Sequence, residues 1–151
     1  METANLSLLE RRRHGFDAFY KELLPCLVEF VGDMGIQPAD MVLKQAATYA
    51  PVLEVALQNM LVANREERDW LCARMGYFIG EYCVQQFDGC WAVNDIPGSR
   101  YFARYVVGQF QAAKNLQMML DPFEMAIEYV DAPIPRQLQT LLDAASIELI
   151  G

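Results

Sequence analysis

The segment that most constrains the fold is residues 70–91, where apolar residues recur at helical spacing over most of the circumference. A helix that is apolar nearly all round is usually the buried centre of a domain. Asn64 is the predicted N-cap, because a short polar side chain before an apolar periodic run can accept hydrogen bonds from the first free amides. The sequence therefore predicts a central buried helix, whose apolar positions are Leu71, Cys72, Met75, Phe78, Ile79, Tyr82 and Cys83.

Small residues form a strip along this predicted helix. Ala73, Gly76 and Gly80 share one face, and each glycine costs about 1 kcal/mol of helix propensity relative to alanine. We therefore expect another backbone to pack closely against the strip and to compensate for that cost. The helix is expected to end at Asp88-Gly89, with Gly89 in the left-handed conformation that other residues resist.

Two further helical segments are predicted before the central helix. The first covers about residues 6–34, with Pro25 either kinking or splitting it. The second is divided by Pro51, which gives one helix at about residues 39–49 and a continuation at about residues 51–62. The N-terminal half is therefore expected to be entirely helical.

The segments that follow the central helix are typical of strands. Residues 90–93 and 101–107 are rich in aromatic and β-branched residues and flank a stretch dense in turn formers, which predicts a β-hairpin. Because a two-stranded hairpin is only marginally stable alone, we expect it to pack on helices or to gain a third strand, at residues 116–119. Asp121 and Pro122 then predict a helix start, with an acidic N-cap followed by proline at the first position.

Length and composition predict one domain of the α+β class. The chain has 151 residues, of which 54% are hydrophobic, and a chain of this size buries roughly two thirds of its unfolded surface. A final helix is predicted at about residues 135–145. We therefore expect residues 1–151 to form a single, mainly helical domain. Its architecture is predicted to be a helical bundle with a small antiparallel β-hairpin or three-stranded sheet in the C-terminal half.

Charge and cysteine usage exclude several classes of function. The net charge of −8 argues against binding to nucleic acid or to an anionic membrane surface, because both need clustered Lys and Arg. The sequence has no basic start followed by an apolar run, as in a secretory signal, and no uncharged apolar stretch of the roughly 18 residues that span a membrane. The four cysteines form no CxxC pair and are expected to be reduced thiols. These features predict a cytoplasmic protein.

Short motifs in the second half of the chain resemble those of a known family. They are G-Y-F-I-G-E-Y at 76–82, D-G-C-W at 88–91 and L-D-P-F at 120–123. Their order resembles small bacterial proteins of unknown function, in which a helix with G-E leads to a G-x-W strand, a hairpin and a D-P-F helix. Some of those proteins are encoded beside secreted toxins and look like immunity proteins. The resemblance covers roughly residues 70–130 and implies structural roles, with no catalytic ones, for Gly76, Gly80, Glu81, Gly89, Trp91, Asp121 and Pro122.

Few residues point to catalysis. His14 is the only histidine, and the sequence has no second histidine, cysteine pair or nucleotide-binding motif from which a metal or cofactor site could be assembled. We therefore predict no catalytic residue, no metal and no cofactor. Cys90 is expected to be buried as a small hydrophobic residue rather than to act as a reactive thiol.

Glu81 is a charged residue within the apolar central helix and has two interpretations. It is either a general acid or base whose pKa is raised in an apolar pocket, or a structural carboxylate that accepts hydrogen bonds from the backbone or from Arg104. The structural role is favoured, because a lone carboxylate supports little chemistry. In that role Glu81 would fix the hairpin on the helix.

The acidic residues near the C-terminus point to a partner surface. From Asp121 onward Arg136 is the only basic residue. Glu124, Glu128 and Asp131 are spaced i, i+4, i+7 and therefore share a helix face. That face is either a solvated surface or a surface that steers and docks a basic protein.

Three functional hypotheses arise from these features. The first is a non-catalytic protein-binding module, most concretely a cytoplasmic immunity protein that neutralises a toxin through the acidic surface. The second is a structural or assembly protein that acts as a homodimer. The third is a carboxylate-dependent enzyme built around Glu81.

Overall fold

The computed structural model describes residues 3–115 and 117–151 and contains five α-helices and a three-stranded sheet. This arrangement confirms the predicted α+β class, mainly helical with a small antiparallel sheet in the C-terminal half. The elements are α1 (Thr3–Asp33), a 3₁₀ helix (Ala39–Met41), α2 (Val42–Leu57), α3 (Arg65–Phe87), β1 (Cys90–Val93), β2 (Tyr105–Gly108), β3 (Met119–Leu120), α4 (Pro122–Asp131) and α5 (Leu138–Ile150).

Helix α3 lies at the centre of the fold, as predicted. Side chains from Leu71 to Phe87 are buried on most of its circumference. Its N-terminus is capped by Asn64, whose Oδ1 accepts a hydrogen bond from the Glu67 amide at 2.9 Å. The predicted N-cap is therefore confirmed.

The end of α3 is where the sequence predicts it, but the predicted conformation of Gly89 is wrong. The left-handed residue is Asp88, with a φ of 52°, a region that aspartate tolerates because its short polar side chain can bond locally. Residue 89 must be glycine for a different reason, because its surroundings leave no room for a side chain. A Cβ atom there would lie 2.6 Å from Cε1 of Phe110 and 3.0 Å from the Gly108 carbonyl oxygen.

The small-residue strip of α3 receives two aromatic rings, one of them from α4, the helix that packs most extensively against α3. A Cβ atom at Gly76 would lie 2.6 Å from Cε1 of Phe123 in α4, and one at Gly80 would lie 2.9 Å from Cε2 of Trp91 in β1. Real Cβ atoms essentially never approach other atoms closer than 3.0 Å. The two glycines therefore make room for side chains that anchor α4 and β1 on α3.

The prolines of the first two helices do not divide them. Helix α1 is not split at Pro25, and α2 includes Pro51 within its helical span. Both prolines are exposed, so solvent can satisfy the carbonyl that each leaves without a donor. The predicted division at Pro51 was wrong, because the break in α2 lies at Gln45, with φ −133° and ψ 46°. The helix ends at Leu57, before the predicted end at about residue 62.

The break in α2 is bridged by a side chain of α3. A continuous helix would join the Ala46 amide to the Val42 carbonyl by an i to i−4 hydrogen bond. Instead, the Ala46 amide donates to Oε1 of Gln85 at 2.8 Å, and Nε2 of Gln85 donates to the Val42 carbonyl at 3.0 Å. The Gln85 amide thus satisfies both backbone groups that the break releases.

The three strands are antiparallel in the order β1-β2-β3. Cys90 pairs with Gly108, and Val93 with Tyr105, so the predicted hairpin is present. Its second strand starts later than the predicted residue 101, because residues 101–103 form a turn. The third strand covers residues 119–120 instead of 116–119, and Leu116 lies outside the described residues.

One hydrophobic cluster joins all of these elements. It includes residues from each α-helix and each strand of the described chain, with Phe30, Leu53, Phe78, Val107 and Leu142 fully or almost fully buried. The final helix extends to Ile150 and starts at Leu138, three residues after its predicted beginning. Within residues 3–115 and 117–151, no helix combines the length and the apolar composition that crossing a membrane requires.

Candidate functional site

Helix α4 presents the predicted acidic face, and its first turn is fixed as expected. Oδ1 of Asp121 accepts hydrogen bonds from the amides of Phe123 at 3.0 Å and Glu124 at 3.2 Å. Pro122 occupies the first helical position, where the missing amide costs nothing. The predicted cap therefore sets the direction in which α4 leaves the sheet.

Two of the three predicted partner-binding carboxylates are ion-paired. Both oxygens of Asp131 accept hydrogen bonds from Arg68 of α3, at 2.8 Å each. Glu124 pairs with Arg100 and, at 3.1 Å, with Arg104. These arginines lower the pKa of both carboxyl groups, Arg100 most for Glu124 and Arg68 most for Asp131.

Glu128 differs from its two neighbours on α4. Its side chain is exposed, and it forms no ion pair within the described parts of the chain. The sequence spacing placed the three carboxylates on one helix correctly, but local spacing does not reveal arginines from other elements. The uncompensated charge of this face is therefore concentrated at Glu128.

A groove of about 430 Å³ lies beside Glu128, between α4 and α5. Its walls are mainly apolar and include Pro133, Leu141 and Ala144. Tyr129 also lines it, and its buried hydroxyl has no hydrogen-bond partner among the described residues. Burial raises the pKa of Tyr129 to about 12. The groove thus combines an apolar floor with a carboxylate at its edge.

Arg136, the only basic residue after Asp121, is not on the acidic surface. It is 5% exposed and donates hydrogen bonds to the carbonyls of Leu57 at 2.9 Å, Met60 at 2.7 Å and Val130 at 3.1 Å. Cations bind well at helix C-termini, where carbonyl groups lack intrahelical donors. Arg136 therefore ties the ends of α2 and α4 together, a role for which no local sequence signal exists.

Glu81 joins α3 to the hairpin, but through a different partner from the predicted one. It is 4% exposed and accepts a hydrogen bond from Nε1 of Trp91 at 3.3 Å. Arg104, the predicted donor, instead binds Asp121 at 2.8 Å and Glu124. Burial raises the pKa of Glu81, and the hydrogen bond from Trp91 partly offsets this.

An aromatic cluster surrounds this hydrogen bond. The Phe19 ring of α1 lies 5.5 Å from Trp91, 4.3 Å from Tyr105 and 6.0 Å from Phe123, measured between ring centroids. Tyr77 of α3 is 5.8 Å from Phe123. Gly76, Gly80, Glu81 and Trp91 therefore lie at this cluster, whereas Gly89 packs against Phe110 and Gly108.

The remaining sequence candidates lie apart from these features. His14 is exposed on α1. Cys90 is also exposed, against the prediction of burial, because it stands at the outward-facing start of β1, where its Sγ lies 3.5 Å from Oε1 of Gln109. Over residues 3–115 and 117–151, no group of three or more His, Cys, Asp or Glu side chains is arranged to hold a metal ion.

Comparisons with protein-family models, with curated proteins and with solved structures found no match to this chain. The chemistry of its own surface is therefore the basis for a functional proposal. Two features of that surface stand out: the acid-edged groove between α4 and α5, and an arginine-lined cleft at the other end of α4.

Proposed function

We propose that the protein is a non-catalytic protein-binding module, most concretely a cytoplasmic immunity protein that neutralises a basic toxin. The observation that carries this proposal is the position of Glu128. This carboxylate, which forms no ion pair within residues 3–115 and 117–151, stands at the edge of an apolar groove of about 430 Å³. The chain as a whole has a net charge of −8.

Such a groove suits a long basic side chain of the partner. The methylene stem of a lysine or arginine would cover Pro133 and Leu141, while its charged end reaches Glu128. The residues that contribute most of the binding free energy in protein interfaces are usually those whose side chains become fully buried. A basic side chain in this groove would bury both its apolar stem and its charge pair with Glu128. The groove would therefore be the anchor point of the interface.

Glu124 and Asp131 would extend the same interface along α4. Their arginine partners reduce the net charge of the face, but they also hold the two carboxylates in fixed orientations. The exposed fraction of the side chain is 41% for Glu124 and 49% for Asp131. A carboxylate can also accept hydrogen bonds from more than one donor. Both groups therefore remain available to a basic partner.

The test is capture of a partner by tagged protein from extracts of the source organism, followed by affinity measurement with the purified partner. Glu128→Lys is the informative variant, because reversal of Glu124 or Asp131 would also break ion pairs within the fold. Glu29→Lys is the matched control, since Glu29 is exposed on α1 and the change in charge is identical.

The expected result is a basic protein bound at 1:1 stoichiometry, with an affinity that falls on the order of tenfold for Glu128→Lys and is unchanged for Glu29→Lys. A partner bound equally well by both variants would remove the groove from the proposal. A dimer of the chain itself that Glu128→Lys dissociates would favour the homodimer hypothesis instead.

A further inference from the structure

A second cavity, of about 400 Å³, lies between α1, the start of β2 and the first turns of α4. Two arginines line it, Arg12 and Arg104, together with Tyr105, Phe123 and Ile127. We propose that this cleft binds a small organic carboxylate with an apolar body. The proposal concerns a small molecule and does not depend on the protein partner proposed above.

The two arginines that line the cleft have donors to spare. Nη1 of Arg104 donates to Asp121 at 2.8 Å and to Glu124 at 3.1 Å, whereas its Nε and Nη2 form no hydrogen bond within the described ranges. The exposed guanidinium of Arg12 has no partner there either. These free donors match the geometry of a carboxylate, which can accept two parallel hydrogen bonds from one arginine.

The two carboxylates in the wall of the cleft are already engaged. Asp121 binds two helix amides through Oδ1 and Arg104 through Oδ2. Glu124 binds Arg104 and also Arg100. Arg104 pairs with Asp121, and Arg100, which lies outside the lining, pairs with Glu124, so both carboxylates are compensated. An anionic ligand would therefore meet no uncompensated carboxylate in the cleft.

The rest of the lining is apolar, which distinguishes the cleft from a simple anion site. The Phe123 ring and the half-exposed Ile127 side chain line one wall. Tyr105 also lines the cleft and is fixed by stacking on Phe19 and by a hydrogen bond from its hydroxyl to the Arg12 carbonyl at 2.8 Å. A cavity of this size lies at the lower end of the range that is usual for ligand sites, roughly 300–1,000 Å³. An aryl or alkyl carboxylate would use both the guanidinium donors and the apolar walls.

The test is a titration of the full chain with phenylacetate, followed by amide chemical shifts in solution. Phenylacetamide, which lacks the charge, and inorganic phosphate, which lacks the apolar body, are titrated in parallel. Arg12→Gln removes a guanidinium from the cleft, and Arg11→Gln is the matched control, because Arg11 is exposed next to it and does not line the cleft.

We expect saturable shifts at Phe123 and Ile127 with phenylacetate, weaker binding of the amide and of phosphate, and an affinity reduced about tenfold in Arg12→Gln. The Arg11→Gln variant should bind like the wild type. Equal affinities of the two variants, or the absence of saturable shifts, would overturn the proposal. Phosphate binding as tight as that of phenylacetate would overturn the requirement for an apolar body.

Discussion

The contact between Gly80 and Trp91 gives the sharpest test of how this fold is held together. In Gly80→Ala, the new Cβ atom would lie 2.9 Å or less from three atoms of the indole, Cζ2, Cη2 and Cε2. Ordinary contact begins at 3.4 Å, and even the farthest of these three atoms falls short of that distance by half an ångström. The indole must therefore shift by more than half an ångström to clear the nearest atom, Cζ2. It cannot shift freely, because Phe19 and Phe123 pack on it.

The expected loss of stability follows from three contributions. Overpacking of a core contact costs about 1–3 kcal/mol, and the shift breaks the hydrogen bond from Trp91 to Glu81, which contributes about 1 kcal/mol. The gain in helix propensity from glycine to alanine offsets about 1 kcal/mol. Gly80→Ala should therefore lower the free energy of unfolding by about 1–3 kcal/mol.

Gly32→Ala in α1 is the matched control. A Cβ atom there would lie 3.6 Å from the Ala39 Cβ atom, which is ordinary contact, so the substitution should be neutral or stabilising by up to about 1 kcal/mol. Urea denaturation followed by far-UV circular dichroism measures both variants. In a double-mutant cycle, Trp91→Leu should lower the free energy of unfolding by less in the Gly80→Ala background than in the wild type. Equal stability of the two alanine variants would refute the reasoning.

Three further substitutions test other buried polar contacts. Gln85→Leu should lower the free energy of unfolding in urea by about 2 kcal/mol, because it leaves two backbone groups of α2 without partners; an unchanged midpoint would show that the bridge contributes nothing. Arg136→Met should destabilise by a similar amount, about 2 kcal/mol, and Arg136→Lys should not restore stability, since one ammonium cannot reach three carbonyls in fixed directions. The raised pKa of Glu81 means that the folded state binds the proton of this carboxyl group more tightly than the unfolded state does. The contribution of Glu81 to the free energy of unfolding of the wild type therefore falls as the pH rises above 4.5, the ordinary pKa of this group. Glu81→Gln should therefore gain stability relative to the wild type as the pH is raised through this range in urea titrations; a constant difference would contradict the assignment.

Features that depend on neighbouring residues could be predicted from the sequence. The caps at Asn64 and Asp121 are both present, because a cap requires only a polar side chain and the next few amides. The buried helix α3 was also predictable, since its apolar residues cover most of its circumference. The change from helix to strand after Gly89 was predictable as well, because the residues that follow are locally rich in aromatic and β-branched side chains.

Features that depend on distant partners could not be predicted. The spacing of Gly76 and Gly80 shows that bulk is excluded, but it does not identify the rings that approach. Similarly, the spacing of the carboxylates on α4 does not show that Arg68, 63 residues away in sequence, pairs with Asp131. Pro51 was expected to break α2, whereas Gln85, from another helix, stabilises the break at Gln45.

The arginine that ties α2 to α4 has a consequence for the order in which the chain acquires structure during synthesis. Arg136 follows Leu57, one of its carbonyl partners, by 79 residues. Helix α2 therefore leaves the ribosome long before the side chain that completes its last turn has been made. Until then, the final carbonyls of α2 depend on water, and its last turn opens at little cost. The N-terminal helices reach their final stability only when the C-terminal helices are in place.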